Sequence, residues 1–170
     1  MCSSDLSQIC LAYLLQFNTS EPHMNLNASS PLAKYAAKHW IIHTHSSCKS
    51  KSHSSSVLSL MMRLVTDENN VFMNWVEIYN IDGYSLIQQK QWDRIAKPLY
   101  YASLAGMTEA SCGLLEMSAE VNAQGGVFGS ALQAASCQDD EAIAKLLIEK
   151  GADVNVQGGH FGNALHTASY

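Results

Sequence analysis

Charge is scarce in this sequence: Asp, Glu, Lys and Arg make up 15% of its 170 residues, and only ten of them are basic. Those ten are scattered and the formal net charge is -5, so no basic stripe exists to neutralise a phosphate backbone and no nucleic-acid partner is expected. Nowhere do about 18 apolar residues run together, the length a helix needs to cross a bilayer. The opening MCSSDLSQIC carries no cationic stretch of the kind that starts a secretory leader, and position 2 is Cys where myristoylation requires Gly. No membrane association is expected, and the reading is cytoplasmic. Five cysteines (Cys2, Cys10, Cys48, Cys112 and Cys137) are an odd number without a Cys-x-x-Cys pair. They suit small core hydrophobes in a reducing compartment better than a disulfide framework. Catalytic signatures are missing too: no Gly-x-x-x-x-Gly-Lys-Ser/Thr, no Gly-x-Ser-x-Gly and no His-Glu-x-x-His occurs. Neither ATP binding, nor a catalytic residue, nor a cofactor is expected.

What the sequence does have is a repeat. Residues 121–136, VNAQGGVFGSALQAAS, and 154–169, VNVQGGHFGNALHTAS, stand 33 residues apart and are identical at 11 of 16 positions. Between them runs ALQAASCQDDEAIAKLLIEKGADVN, residues 131–155. This stretch resembles the ankyrin consensus in its Ala-Leu-x-x-Ala start, its Ala-x-x-Leu-Leu second helix and its Gly-Ala-Asp-Val-Asn exit, and 33 residues is the period of that unit. The resemblance implies a turn followed by two short antiparallel helices, stacked on neighbouring units to bury an apolar face.

A more degenerate copy precedes these. Stepping back 33 residues sets Pro98-Leu99 under Ala131-Leu132, Ala102-Ser103 under Ala135-Ser136, and Leu114-Leu115-Glu116 under Leu147-Ile148-Glu149. The first copy keeps Pro98 and Gly106, where the second has Ala131 and Asp139. The third copy starts at Asn163 and stops at Tyr170, within its first helix, as expected for part of a longer protein. An incomplete unit should leave apolar surface open around Ala142, Leu146 and Leu147, with weak self-association through the open C-terminal repeat, or marginal stability, as a consequence.

Upstream, Leu6, Ile9, Cys10, Tyr13, Leu14 and Phe17 recur at three- and four-residue steps, predicting an amphipathic helix from Asp5 to Asn18. The polar stretch 18–30 reads as a loop. Ser30-Pro31 then starts a second helix, with Leu32, Tyr35, Ala36, His39, Trp40 and His43 near one side. Residues 46–56, with seven serines in eleven positions, read as a mobile loop. Helical spacing resumes at Val57, Leu58, Met61, Leu64 and Val65, and again at Val71, Phe72, Trp75, Val76 and Tyr79. Asp82-Gly83 is a predicted turn and Leu86 to Ile95 a weaker helix. The fold class is therefore all-α. Residues 1–95 form a helical region, and residues 96–170 form about two ankyrin repeats and a partial third.

Pro31-Leu32-Ala33-Lys34-Tyr35-Ala36-Ala37-Lys38-His39-Trp40 is similar to the Pro-Leu-x-x-Tyr-Ala-Ala-x-x-Trp segment of fungal NACHT-ankyrin proteins, signalling ATPases of the NOD-like type. Cys10-Leu11-Ala12-Tyr13-Leu14 resembles the segment before it, and the Gly-Gly-x-Phe-Gly-x-Ala-Leu hairpin is the repeat variant of the same group. The resemblance implies that residues 1–95 are a linker, winged-helix-like, placed between a separate nucleotide-binding module and the array. It also implies a scaffold that binds a protein without catalysing a reaction.

Several sharper chemical readings give way to structural ones. His39 and His43, four apart, with His45, Cys48 and His53 following, could suggest a metal site, but no Glu stands beside either helical His and the rest fall among serines. His166 occupies the place of the ankyrin His that hydrogen-bonds neighbouring turns. Asp139, Asp140 and Glu141 suit the capping of a helix N-terminus. Gly125-Gly126 and Gly158-Gly159 repeat as hairpin turns, not as a phosphate loop. Trp40, Trp75 and Trp92 suit the core, and Phe128 and Phe161 anchor the hairpins. The positions left for recognition of a protein partner are Gln124 and Val127 in the first hairpin and Gln157 and His160 in the second. Leu104, Cys137 and Gln138 join them from the first helices.

Overall fold

A computed structural model of the protein describes residues 3–17, 31–47, 54–66, 71–79, 81 and 95–169. It divides into two compact units, Met1–Asn80 and Ile81–Tyr170. Both are helical, and the extended pairing among the described residues is confined to two isolated antiparallel bridges, Gly125 with Gly129 and Gly158 with Gly162.

The first unit contains α1 (Ser3–Leu14), α2 (Pro31–Ser47), α3 (Ser54–Thr66) and α4 (Val71–Ile78). Helix α1 buries Ser7, Cys10, Leu11 and Leu14, a single three- and four-residue stripe, and leaves Ile9 exposed. Helix α2 turns Ala33, Ala36, Ala37, Trp40, Ile41 and Thr44 inward and exposes Leu32, Tyr35 and Ile42. Both buried faces are thus rotated from those expected, which had included Ile9, Leu32 and Tyr35. The physical reason is close approach: α1 and α2 pack against each other along their length. Alanine and serine let two helix backbones come nearer than leucine or tyrosine would.

The centre of this unit is the indole pair Trp40 and Trp75, edge to face with ring centroids 5.6 Å apart. Trp75 Nε1 donates to the Ala37 carbonyl at 3.0 Å, and Asn74 Nδ2 donates to the Phe17 carbonyl at 2.9 Å, fastening α4 to the end of α1. Each buried indole contributes roughly 4–6 kcal/mol of transfer free energy as an upper estimate. The serine-rich stretch is not all loop, since α2 continues through Ser47 and α3 starts at Ser54. Residues 48–53, the expected loop at 18–30, the Asp82-Gly83 turn, Trp92 and most of the helix expected over 86–95 lie outside the described residues.

The second unit contains α5 (Pro98–Leu104), α6 (Thr108–Glu116), α7 (Ala131–Cys137), α8 (Glu141–Glu149) and α9 (Ala164–Ala168). Helices α5, α7 and α9 lie side by side at the 33-residue step, while α6 packs on α5, α8 on α7, and α6 on α8. Local chemistry fixes each start. Pro98 opens α5; Ser130 Oγ accepts from Gln133 N at 3.3 Å; Asn163 Oδ1 accepts from His166 N at 3.0 Å; Asp140 Oδ1 accepts from Ile143 N at 3.0 Å. The turn inside each helix pair needs a left-handed residue, supplied by Gly106 (φ 67°) in one repeat and by Asp139 (φ 54°) in the next. The turn that ends each pair uses Ser118 (φ 64°) and then Gly151 (φ 91°).

Ile143 and Leu147, one helical turn apart on α8, are fully buried. The expectation of open surface at Leu147 is therefore corrected: α8 turns that side chain inward onto α7. Ala142 is exposed and Leu146 half-buried, and exposed apolar surface continues on Ile148, Val154 and above all Leu165.

Candidate functional site: the hairpin row

Residues 125–129 and 158–162 form two hairpins. Each is closed by a glycine bridge, with Gly125 N to Gly129 O at 2.9 Å and Gly158 N to Gly162 O at 2.7 Å. They are joined to one another. His160 N donates to the Val127 carbonyl at 2.8 Å, and the Phe128 and Phe161 rings stack with centroids 5.9 Å apart and 12° between planes. Glycine is required at the contact: a Cβ on Gly159 (φ +64°) would stand 2.2 Å from the Phe128 carbonyl carbon, and one on Gly126 (φ +70°) 2.2 Å from the Tyr100 ring.

Side chains from the first helices clamp the hairpin that follows. Gln133, fully buried, donates through Nε2 to the carbonyls of Gly158 at 3.0 Å and Gly162 at 3.1 Å. One repeat earlier, the Tyr100 hydroxyl accepts from Phe128 N at 3.2 Å. Asn122 adds a further link, accepting from Asp153 N at 2.8 Å and donating to the Gly151 carbonyl at 3.2 Å. Sequence reasoning did not single out Tyr100, Gln133 or Asn122. The available signal was register, because Tyr100, Gln133 and His166 are 33 apart, as are Asn122 and Asn155.

Of the residues expected to meet a partner, Gln124, Gln157 and His160 are exposed on the hairpins and Val127 is half-buried there. Gln124 and Gln157 fold back on their own backbone, donating to the carbonyls of Asn122 at 3.5 Å and Asn155 at 3.2 Å. At the end of α7, Gln138 is exposed and Cys137 half-buried. Leu104 is a correction: at 5% exposure it is core. Helix α5 is buried from Leu99 through Leu104, and an apolar side chain there gains more from burial than from solvent.

Other chemistry is sparse. Burial raises the Cys10 thiol pKa, and burial followed by the Asp139 carboxylate raises that of Cys137, so neither is poised as a thiolate. The His39 ring lies against Tyr35, tilted by 30° with centroids 4.5 Å apart, and the Tyr35 hydroxyl lies 3.2 Å from His43 Nε2. Among the described residues no group of three or more His, Cys, Asp or Glu side chains could hold a metal ion. The side chain of His45, with Cys48 and His53, lies outside them. No helix among the described residues is long and apolar enough to cross a membrane.

A row of helix pairs at a 33-residue step, joined by glycine hairpins, is an all-α solenoid of the ankyrin type. Residues 130–159 match the family described as Ankyrin repeat, so the chain contains an ankyrin repeat. It is also 35% identical, over 160 residues, to the "Azaphilone pigments biosynthesis cluster protein L" of Monascus ruber. The match covers 86% of this chain and 33% of that relative, so the chain spans about a third of the relative's length.

Proposed function

We propose that this chain is a non-catalytic protein-binding module whose recognition surface is the hairpin row, read through Gln124, Val127, Gln157 and His160 and continued by Cys137 and Gln138. Ankyrin repeats as a class mediate protein–protein interaction. One observation carries the assignment of the surface. The hairpin backbones are tied to one another, His160 N on the Val127 carbonyl at 2.8 Å and Gly159 against Phe128, while the side chains at their tips are free to differ. Val127 and His160, in otherwise near-identical hairpins, are where they differ most. A partner meeting a pre-ordered backbone loses little conformational entropy on the array's side. Replacing Gln124, Val127, Gln157 and His160 together with Ser should leave helicity and melting temperature unchanged. It should weaken a partner captured by the wild-type chain at least tenfold, about 1.4 kcal/mol. Undiminished binding would refute the assignment.

A second reading makes the chain, cytoplasmic and fungal, a regulatory segment of a NACHT-type signalling ATPase, with residues 1–95 as the linker and residues 96–170 as the start of the sensing array. The resemblance of Pro31 to Trp40 supports it, together with the burial of Trp40 against Trp75 at the centre of the first unit. The relative named above, about three times longer than the matched segment, leaves room for such a module. The genomic frame upstream of the Met1 codon tests it: an in-frame P-loop supports this reading, and an interrupted frame opposes it.

A further inference from the structure

Charge is segregated within the second unit. Residues 96–169 contain three basic and eight acidic side chains. Apart from Lys97, just ahead of α5, all of them lie on α6, on α8 or in the turns beside those two helices. Residues 98–108, 121–138 and 154–169, which supply α5, α7, α9 and both hairpins, hold no Asp, Glu, Lys or Arg. The first helices and the hairpin row are therefore bare of these charges. The second helices carry an acidic excess, part of it paired, as Lys145 is with Glu141 at 2.8 Å.

The side chains of the row match that pattern. Gln124 lies flat: its Nε2 donates to the Asn122 carbonyl at 3.5 Å, and its Oε1 rests on Gly158, where an added Cβ would stand 2.5 Å from it. Gln157 turns its own Nε2 to the Asn155 carbonyl at 3.2 Å. The His160 ring meets Phe161 edge to face, with centroids 5.1 Å apart and 88° between planes, and Phe161 in turn stacks on Phe128. A partner thus meets amide faces, ring edges and Val127. A carboxylate, ammonium or guanidinium pressed onto this surface would give up its hydration, and no side chain of opposite charge stands there to replace it. An acidic segment would also approach a unit that is itself acidic.

We propose that the hairpin row takes an uncharged segment of a protein partner, one whose contacting side chains are apolar, aromatic or amide- and hydroxyl-bearing, and that it rejects acidic and basic segments by offering them no counter-charge. The inference rests on the reading of the hairpin row as the recognition surface and adds the chemistry of what binds there.

The test is a random peptide library displayed on phage, selected on the full chain and counter-selected on the chain carrying Gln124→Ser, Val127→Ser, Gln157→Ser and His160→Ser. Peptides that depend on those four side chains should be poor in Asp, Glu, Lys and Arg. Their Kd should change by less than about twofold over a tenfold rise in ionic strength. For the tightest of them, His160→Glu and His160→Lys should each weaken binding by at least about tenfold, with the melting temperature unchanged. Dependent peptides rich in charge of either sign, or a pair of His160 variants of which one tightens and the other weakens binding, would overturn the proposal and leave the row as the binding surface. Peptides that bind the fourfold variant equally well, or a selection that yields none dependent on the row, would overturn the row itself and the proposal with it.

Discussion

Gln133 Nε2 donates to two carbonyls of the next repeat, Gly158 at 3.0 Å and Gly162 at 3.1 Å, so one buried amide fastens both strands of a hairpin to the helix before it. The hairpin in turn fixes where His160 and Gln157 stand. The link runs from a side chain at the third position of Ala-Leu-Gln, through packing, to the surface proposed to meet a partner.

Gln133→Ala should cost about 2–3 kcal/mol in urea denaturation, the loss of two hydrogen bonds that leaves glycine carbonyls unpaired, plus a small cavity. Gln133→Met keeps the length of the side chain and loses only the donors, so it should recover part of that cost. A change below about 0.5 kcal/mol for Gln133→Ala, the range of ordinary surface substitutions, would mean that the clamp is not structural.

The glycines should rank by what surrounds them. Gly151→Ala, with nothing within 4 Å of the added Cβ, pays only for its left-handed backbone, about 1 kcal/mol. Gly159→Ala meets the Phe128 backbone at 2.2 Å as well and should cost at least about 2–3 kcal/mol. Equal melting temperatures for the two variants would contradict the stacking geometry.

Ser118 (φ 64°) holds a left-handed conformation at the place where the next repeat has Gly151. Ser118→Gly should therefore stabilise by about 0.5–1 kcal/mol, the relief of strain exceeding the added freedom of the unfolded chain. Asp139→Gly, at the place of Gly106, should gain less, because aspartate tolerates this conformation better. Thermal denaturation of the two single variants checks the order.

The thiols give a pH dependence. Cys10 and Cys137 have pKa values raised from the ordinary 9.0, so folding favours their neutral form. Their contribution to stability is full below about pH 9, where the unfolded thiols are also neutral, and is lost as pH rises through the folded values. The native chain should react with iodoacetamide at pH 8 more slowly at both positions than the urea-unfolded chain, measured by mass spectrometry of the labelled peptides. Equal rates would show that burial does not protect them.

The second unit was legible because its repeat is its structure. Residues recurring at 33 mark the hairpin glycines and the Phe128 and Phe161 stack before any coordinate is known, and the acidic run Asp139 to Glu141 marks the Asp140 cap. The buried faces of α1 and α2 were not legible in the same way. Hydrophobic periodicity weighs Leu32, Tyr35 and Ile9 most heavily, whereas two closely packed helices select the small Ser7, Ala33, Ala36 and Ala37. Leu104 misled for a related reason. Its register partner Cys137 is half-buried, but α5 is buried from Leu99 to Leu104, which one position's place in a repeat does not reveal.

Amide exchange of the chain with and without its captured partner tests the binding surface most directly. Protection on binding should concentrate at residues 124–128 and 157–161, with a lesser effect at Cys137 and Gln138, and should vanish for the variant with Ser at Gln124, Val127, Gln157 and His160. Protection confined to 31–47 and 71–79, with the hairpins unchanged, would place recognition in the first unit and contradict the account.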